Sequence, residues 1–415
     1  MATIHPFKAL RPTKDLAHKV ASLPYDVMSR EEGREMAKGN DLSFLHVVRA
    51  DIDHPDEVDQ YDEKIYASSK AKLTQLEADG VLVQDKAPLL YIYRQIMDGH
   101  PQTGLVACAS IDEYLNNTIK KHEKTREAKE QDRIRHFDTV DANTAPIFLT
   151  YHHVQAIDDI IDSYTQKGQP EYDFTSEDGI QHQVWLIDKD EDVKKLVELF
   201  AEKVPALYIA DGHHRAASAA KVGQKRRGEK GEDPKAEYNF FLAVIFPDKD
   251  LRIMDYNRVV KDLHGLTPEA FLEEAKKKFD VEEAPAGEPY RPTEPHTFGL
   301  YLAGKWYKLT AHPDLYEKED EVGQLDVSIL QNNLLAPVLG IGDPRIDERI
   351  DFVGGIRGLK ELEKRCEEDM ELAFSMYPTS IQQLMDIADA SALMPPKSTW
   401  FEPKLRSGLF IHKLS

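Results

Sequence analysis

An α+β fold, with mixed sheets and flanking helices, is what this chain predicts. Strand-like apolar runs and helical runs follow one another without the regular strand–helix rhythm of a doubly wound sheet. Two segments, PLLYIYRQIMDGHPQTGLVACASIDEY and HTFGLYLAGKWYKLT, read as antiparallel hairpins closed by glycine-containing turns. Neither GxGxxG nor GxxxxGK(S/T) occurs, so no motif supports a dinucleotide fold or a P-loop.

The elements follow in order. SLPYDV ends in a Pro-Tyr-Asp turn, and SREEGREMAKGN reads as a short helix with Ser29 as cap and Glu31 and Glu32 in its first turn. SFLHVVRA reads as a short apolar strand, and residues 56–80 carry helical periodicity up to Gly80. After the first hairpin, residues 116–145 are polar almost throughout. APIFLTYHH and QHQVWLID are strands, and DEDVKKLVELFAEK is a helix. PALYIADGHHRAASAAKVGQKRRG reads as strand, tight turn and helix, and YNFFLAVIFP and LRIMDYNRVV as strands. LTPEAFLEEAKKKF, VSILQNNLLAPVLG, ELEKRCEEDMELAFSM and TSIQQLMDIADASALM read as helices. With 415 residues, at roughly 100–200 per domain, the expected division is 1–115, 116–265 and 266–415, the first forming part of a substrate cleft.

Composition excludes several classes. A net charge of -21 opposes binding to nucleic acid or to an anionic membrane. No run approaches the ~18 apolar residues of a membrane span, and no leader pattern opens the chain, so a cytoplasmic protein is expected. Cys108 and Cys366 are too few for a disulfide framework and form no CxxC pair.

Three segments concentrate chemistry. The first is Asp211-Gly212-His213-His214-Arg215, where a strand meets a helix rich in alanine. A helix start presents free N–H groups and the positive end of the helix dipole to an anion. Arg215 adds a planar phosphate donor, the histidines donate or shuttle protons, and Asp211 is the candidate metal ligand. A zinc site is disfavoured, because adjacent histidines rarely face one metal and HExxH is absent. The second segment runs from His122-Glu123-Lys124-Thr125 through Arg126 and Arg133 to His136 and Asn143-Thr144. It reads equally as a solvated, charge-laced helix or as a site with Glu123 as general base. The third is the tail, with Lys397, Ser398, Thr399, Lys404 and Arg406 among prolines and aromatics. Arg258 in DYNRVV is a weaker anion candidate. Asp26, His46 and Arg49 are expected to be structural, and His152 and His153 to be surface residues without partners.

The ADGHHRAASA segment resembles the phosphate-cradling box of the ParB/sulfiredoxin-like superfamily. HPFKALRP, PYDV, HEKT, DGHHR and MPPKSTWFEPKLRSGLF, taken in order over residues 5–412, resemble a bacterial and protist family known only as a domain of unknown function. That family looks related to free serine kinases. The resemblance implies a ParB/sulfiredoxin-like core over residues 116–265, with additional N- and C-terminal elements and a tail returning to the site. It implies phosphorylation of free L-serine to O-phosphoserine, with pyrophosphate, ADP or ATP as donor and Mg²⁺ as the ion. Asp211, His213, His214 and Arg215 would bind donor phosphates, and Glu123 would activate the serine hydroxyl. Gly212, Lys124, Thr125, Arg133, Arg258, Lys397, Ser398, Thr399 and Lys404 would complete the donor site, with His214 and Asp211 assisting catalysis. L-serine and the polyphosphate donor are the implied partners, and a homodimer is compatible. DNA binding is disfavoured by the acidic charge and the lack of a helix-turn-helix, and sulfiredoxin chemistry by the absence of a cysteine beside the arginine turn. Two rival expectations are a phosphoserine phosphatase or phosphotransferase and a non-catalytic nucleotide-sensing module.

Overall fold

A computed structural model describes residues 1–415. It is a mixed α/β structure that separates into two units, residues 1–251 with 403–415, and residues 252–402. These boundaries differ from the three-part division expected above. Strands from both sides of residue 115 share one sheet, which keeps the first 251 residues together.

The first unit is built on a nine-stranded mixed sheet. Its path runs from Ile119–Lys120 through Leu207–Asp211, Ile147–Tyr151, Phe240–Pro247, His100–Ser110, Leu90–Met97 and Gln181–Ile187 to Tyr172–Thr175. Leu207–Asp211 runs parallel to Ile119–Lys120 and antiparallel to Ile147–Tyr151, with an irregularity in register between Ile209 and Asp211. The hairpin Leu90–Met97 and His100–Ser110 closes on Asp98 and Gly99, both at positive φ, so the turn is tighter than DGHPQTG suggests. The main core buries Leu105, Ala107, Ile147, Leu149, Phe200, Ile209, Ala216 and Ile245, while a smaller cluster gathers Val20, Phe44, Val47, Leu73 and Ile411.

Helix Arg30–Ala37 starts as expected: the Ser29 side chain accepts from the Glu32 N–H, and Glu32 accepts from the Ser29 N–H. The segment SFLHVVRA is a correction. Leu45–Val48 is helical, with the Ser43 hydroxyl accepting from the Leu45 N–H at 3.3 Å. A short apolar run fits a buried helix turn as well as a strand.

The second unit carries a six-stranded antiparallel sheet, in the order Phe279–Glu283, Lys305–Ala311, Thr297–Leu302, Leu372–Met376, Tyr256–Val260, Ile350–Gly354. Here too one helix was expected too long. Lys360–Glu368 is helical, but Leu372–Met376 is a fully buried strand paired on both edges. No helix in either unit is long and apolar enough to cross a membrane.

Candidate functional site

The strand Leu207–Asp211 delivers the chain to Gly212 with φ 97° and ψ 30°, and helix His213–Lys230 starts at the next residue. The positive φ explains the glycine: a side chain there is strained, and a Cβ would lie 3.1 Å from the Arg215 guanidinium. Ala216, Ala217, Ala219 and Ala220 are buried, so this helix packs closely on the sheet, as the small residues suggested.

At its start, His213 and Arg215 are almost fully buried. The first backbone N–H groups of a helix have no partner within it, and the dipole makes that end positive. Arg215 donates through Nη1 to the Pro146 carbonyl, its Nη2 lies 3.8 Å from Asp211, and its Nε is buried with no partner. Lys404 Nζ lies 3.3 Å from Asp211 Oδ2. Burial pushes the Asp211 carboxyl up, but Lys404 and Arg215 outweigh it and hold Asp211 below the usual carboxylate range. The tail that brings Lys404 is pinned: Gln95 donates to the Lys404 carbonyl at 2.9 Å, and Arg406 donates to Ser176 at 3.1 Å and pairs with Asp178.

HEKT meets this corner from the other side. The His122 backbone N–H donates to His213 Nε2 at 3.4 Å, so the His213 proton sits on Nδ1, 3.7 Å from Glu123 Oε2. The Arg126 N–H donates to His214 Nε2 at 3.0 Å. Burial drives His213 down to about 3, beside the nearby His214 and Arg215 charges, so its ring is neutral at physiological pH. His214 is lowered as well, by burial and then by Lys129. His122 packs edge-on against His213 with ring centres 4.3 Å apart, and neither of its buried ring nitrogens has a partner. Burial, reinforced by His213, lowers it to about 3. His122 is the residue that sequence reasoning quoted but gave no role. Its place in HEKT, next to Glu123, was the available signal.

The other expected residues divide. Thr125 donates to Glu130 at 2.7 Å, which ties down the start of helix Glu127–Val140, while Lys124 is exposed. Arg133 lies further along that helix, paired with Asp132 at 2.7 Å. Arg258, Lys397, Ser398 and Thr399 belong to the second unit. There Arg258 is buried, donates to the carbonyls of Tyr256 and, at 3.0 Å, Lys397, and is lowered to about 10 by burial. Ser398 donates to the Pro395 carbonyl at 2.6 Å. His152 and His153, expected to lack partners, are both paired: His152 with Asp248 at 3.0 Å and His153 with Asp158 at 2.8 Å. His46, expected to be structural, bonds Asp53 at 2.9 Å.

No group of three or more His, Cys, Asp or Glu side chains is arranged to hold a metal ion. Asp211 is the carboxylate that precedes the helix start, with Glu123 across His213 from it, and Lys404 and Arg215 already pair with Asp211. Mg²⁺ commonly binds through one or two carboxylates together with substrate phosphates. This donor set therefore fits an ion carried on a phosphate ligand, with Asp211 as its one protein oxygen.

The family model described as "Protein of unknown function (DUF1015)" matches residues 4–328. The chain belongs to that family. Among solved structures, a free serine kinase in complex with AMP is 14% identical, covering 74% of this chain and 91% of the other with a TM-score of 0.36. A conserved hypothetical protein from Pyrococcus furiosus is 15% identical over 74% and 94% of the two chains, with a TM-score of 0.35. SbnI with a C-terminal truncation, from Staphylococcus aureus, is 11% identical over 72% and 82%, with a TM-score of 0.38. No curated protein matches this DUF1015 chain.

Proposed function

We propose that this DUF1015 protein is a kinase for the hydroxyl of free L-serine, with pyrophosphate, ADP or ATP as the phosphoryl donor. The observation that carries the proposal is the convergence of Arg215 and Lys404 on Asp211 at a helix start, with Glu123 beside His213. Phosphoryl transfer needs positioning and cationic stabilisation more than covalent chemistry from the protein, and this corner offers both.

The donor's terminal phosphate lies against the first turn of His213–Lys230, where backbone N–H groups, Arg215 and Lys404 meet its oxygens. Asp211 would hold a Mg²⁺ ion arriving with the donor, and the ion would supply screening of the phosphate charge. Glu123, whose carboxylate stands 3.7 Å from His213 Nδ1, accepts the proton of the serine hydroxyl. The serine oxygen bonds to the terminal phosphorus as the bond to the departing oxygen breaks. O-phosphoserine leaves with phosphate when pyrophosphate is the donor, with AMP when ADP is, and with ADP when ATP is. The kinship of DUF1015 to free serine kinases and a ParB/sulfiredoxin-like core around the corner belong to the same proposal.

The test is to incubate purified protein with Mg²⁺, L-serine and each donor in parallel, with phosphoserine read by mass. Formation of phosphoserine with at least one donor is expected. Glu123→Gln should lower turnover by about 10²–10⁴-fold, the usual contribution of a general base, with donor affinity little changed. Donor binding without phosphoserine would make the protein a sensor, and release of phosphate from phosphoserine without a donor would make it a phosphatase; either result overturns the kinase.

A further inference from the structure

We propose that a cavity in the first unit holds the acceptor as a zwitterion, with its carboxylate on Arg133 and its ammonium on Asp26. The ligand class is a free α-amino acid with a short side chain. The inference rests on the kinase proposal for its meaning, but it can be tested without any donor.

The cavity has a volume of about 180 Å³ and is lined by Tyr25, Asp26, Arg49, Tyr66, Asp132 and Arg133 among others. Pockets for drug-sized ligands run to roughly 300–1,000 Å³, so this one suits a much smaller molecule. Arg133 is 7% exposed, and its guanidinium lies 3.9 Å from the centre of the Tyr25 ring. Nε donates to Asp132 at 2.8 Å and Nη2 lies 2.7 Å from the same carboxylate. Nη1 has no partner. Nη1 is thus left open to a ligand in the cavity, and the planar guanidinium fork matches a carboxylate.

The other charges of the lining leave one complementary group. Arg49 and Asp51 satisfy each other through two contacts of 2.9 Å. Asp132, already on Arg133, also accepts from the Tyr66 hydroxyl at 2.8 Å. Asp26 is exposed and makes no ion pair or hydrogen bond through its side chain. The lining carries three cations, Arg49, Lys129 and Arg133, against three carboxylates, Asp26, Asp51 and Asp132, and so is neutral. A neutral lining whose unpaired groups are the Arg133 edge and exposed Lys129 against Asp26 suits a dipolar ligand, whereas a polyphosphate requires a surplus of positive charge. Arg133, which the sequence resemblance assigned to the donor, is assigned here to the acceptor.

The cavity also adjoins the corner. Helix Glu127–Val140, which carries Arg133, packs on helix His213–Lys230, where the Ser218 hydroxyl donates to the Glu130 carbonyl at 3.0 Å. A small amino acid held there would present its side chain toward the phosphate-binding turn.

Calorimetry of the full chain with L-serine, without donor, tests the assignment. Wild type should bind, and Asp26→Asn and Arg133→Lys should each weaken serine by about tenfold or more, the loss of one charged hydrogen-bonded contact, with pyrophosphate affinity within about twofold. Ethanolamine lacks the carboxylate, so its binding should depend on Asp26 and not on Arg133. 3-Hydroxypropionate lacks the ammonium and should show the reverse. Asp26 is exposed and unpaired, so Asp26→Asn keeps the test decisive if Arg133→Lys does not fold. Wild-type serine affinity in Asp26→Asn, or no binding of serine to wild type, overturns the inference. Serine binding with this pattern but no phosphoserine from any donor would sink the kinase and leave the cavity assignment standing.

Discussion

Asp326 allows the sharpest quantitative test. Its Oδ1 accepts from the His296 N–H at 2.9 Å, while Oδ2 is buried without a partner. Burial pushes this carboxyl from the ordinary 3.8 up to about 7, opposed only by the His296 bond. The native state therefore holds a proton that the unfolded chain releases near pH 4. A carboxyl raised on folding contributes fully below its unfolded value, and the contribution is lost as the pH rises through its folded value. Asp326→Asn keeps the acceptor and replaces the protonated oxygen with an NH₂ of similar shape. Protonated Asp and Asn bury the same kind of unpaired donor, so the variant and wild type should be equally stable in acid. At pH 8 the wild type carries the buried charge, and the gap from 3.8 to 7 is worth about 4 kcal/mol at ~1.4 kcal/mol per pH interval. At pH 5 the same linkage leaves about 2 kcal/mol. Urea unfolding followed by the fluorescence of Trp306 and Trp400 at pH 5 and pH 8 measures the difference. An advantage of the variant that does not grow with pH, or that reverses, refutes the buried-charge reasoning.

Three further outcomes follow from the first unit. Gly104→Ala places a Cβ 2.7 Å from Val244 and 2.9 Å from Phe246 between paired strands, so it should cost about 1–3 kcal/mol by overpacking, read as a lower Tm. Gly212→Ala should cost about 1 kcal/mol at its φ of 97° and, by displacing Arg215, weaken pyrophosphate binding more than it lowers Tm, as calorimetry beside thermal melting would show. Arg215→Lys removes the planar fork that spans the Pro146 carbonyl and Asp211, and should lower pyrophosphate affinity by about tenfold or more in the same titration. Unchanged affinity in both corner variants would remove the donor from this turn.

The parts of the fold that sequence made legible are those decided within a few residues. Ser29 and Glu32 mark a helix start because the capping box closes over one turn. The strand–glycine–helix corner was readable because a glycine before a run of alanines answers a local steric demand at Gly212. Leu45–Val48 and Leu372–Met376 were misjudged because a short apolar run satisfies either periodicity, and only neighbours in space decide between them. Likewise HEKT suggested chemistry, but its approach to His213 depends on Leu207–Asp211 lying beside Ile119–Lys120. The Arg133 cavity was illegible for a related reason. Tyr25, Tyr66 and Asp132 come from three distant segments, and nothing near residue 133 reveals that one guanidinium nitrogen goes unused.

The chain leaves the first unit at Leu251 and re-enters it only at Pro403. Lys404, which faces Asp211, therefore emerges during synthesis only after the whole of the second unit. A nascent chain halted anywhere in the second unit already holds Gly212, His213 and Arg215 but lacks the lysine that partners Asp211. Assembly of that corner in this way waits on synthesis of the entire second unit, and a chain cut short within it would leave Asp211 with Arg215 alone, without the second cation that Lys404 brings.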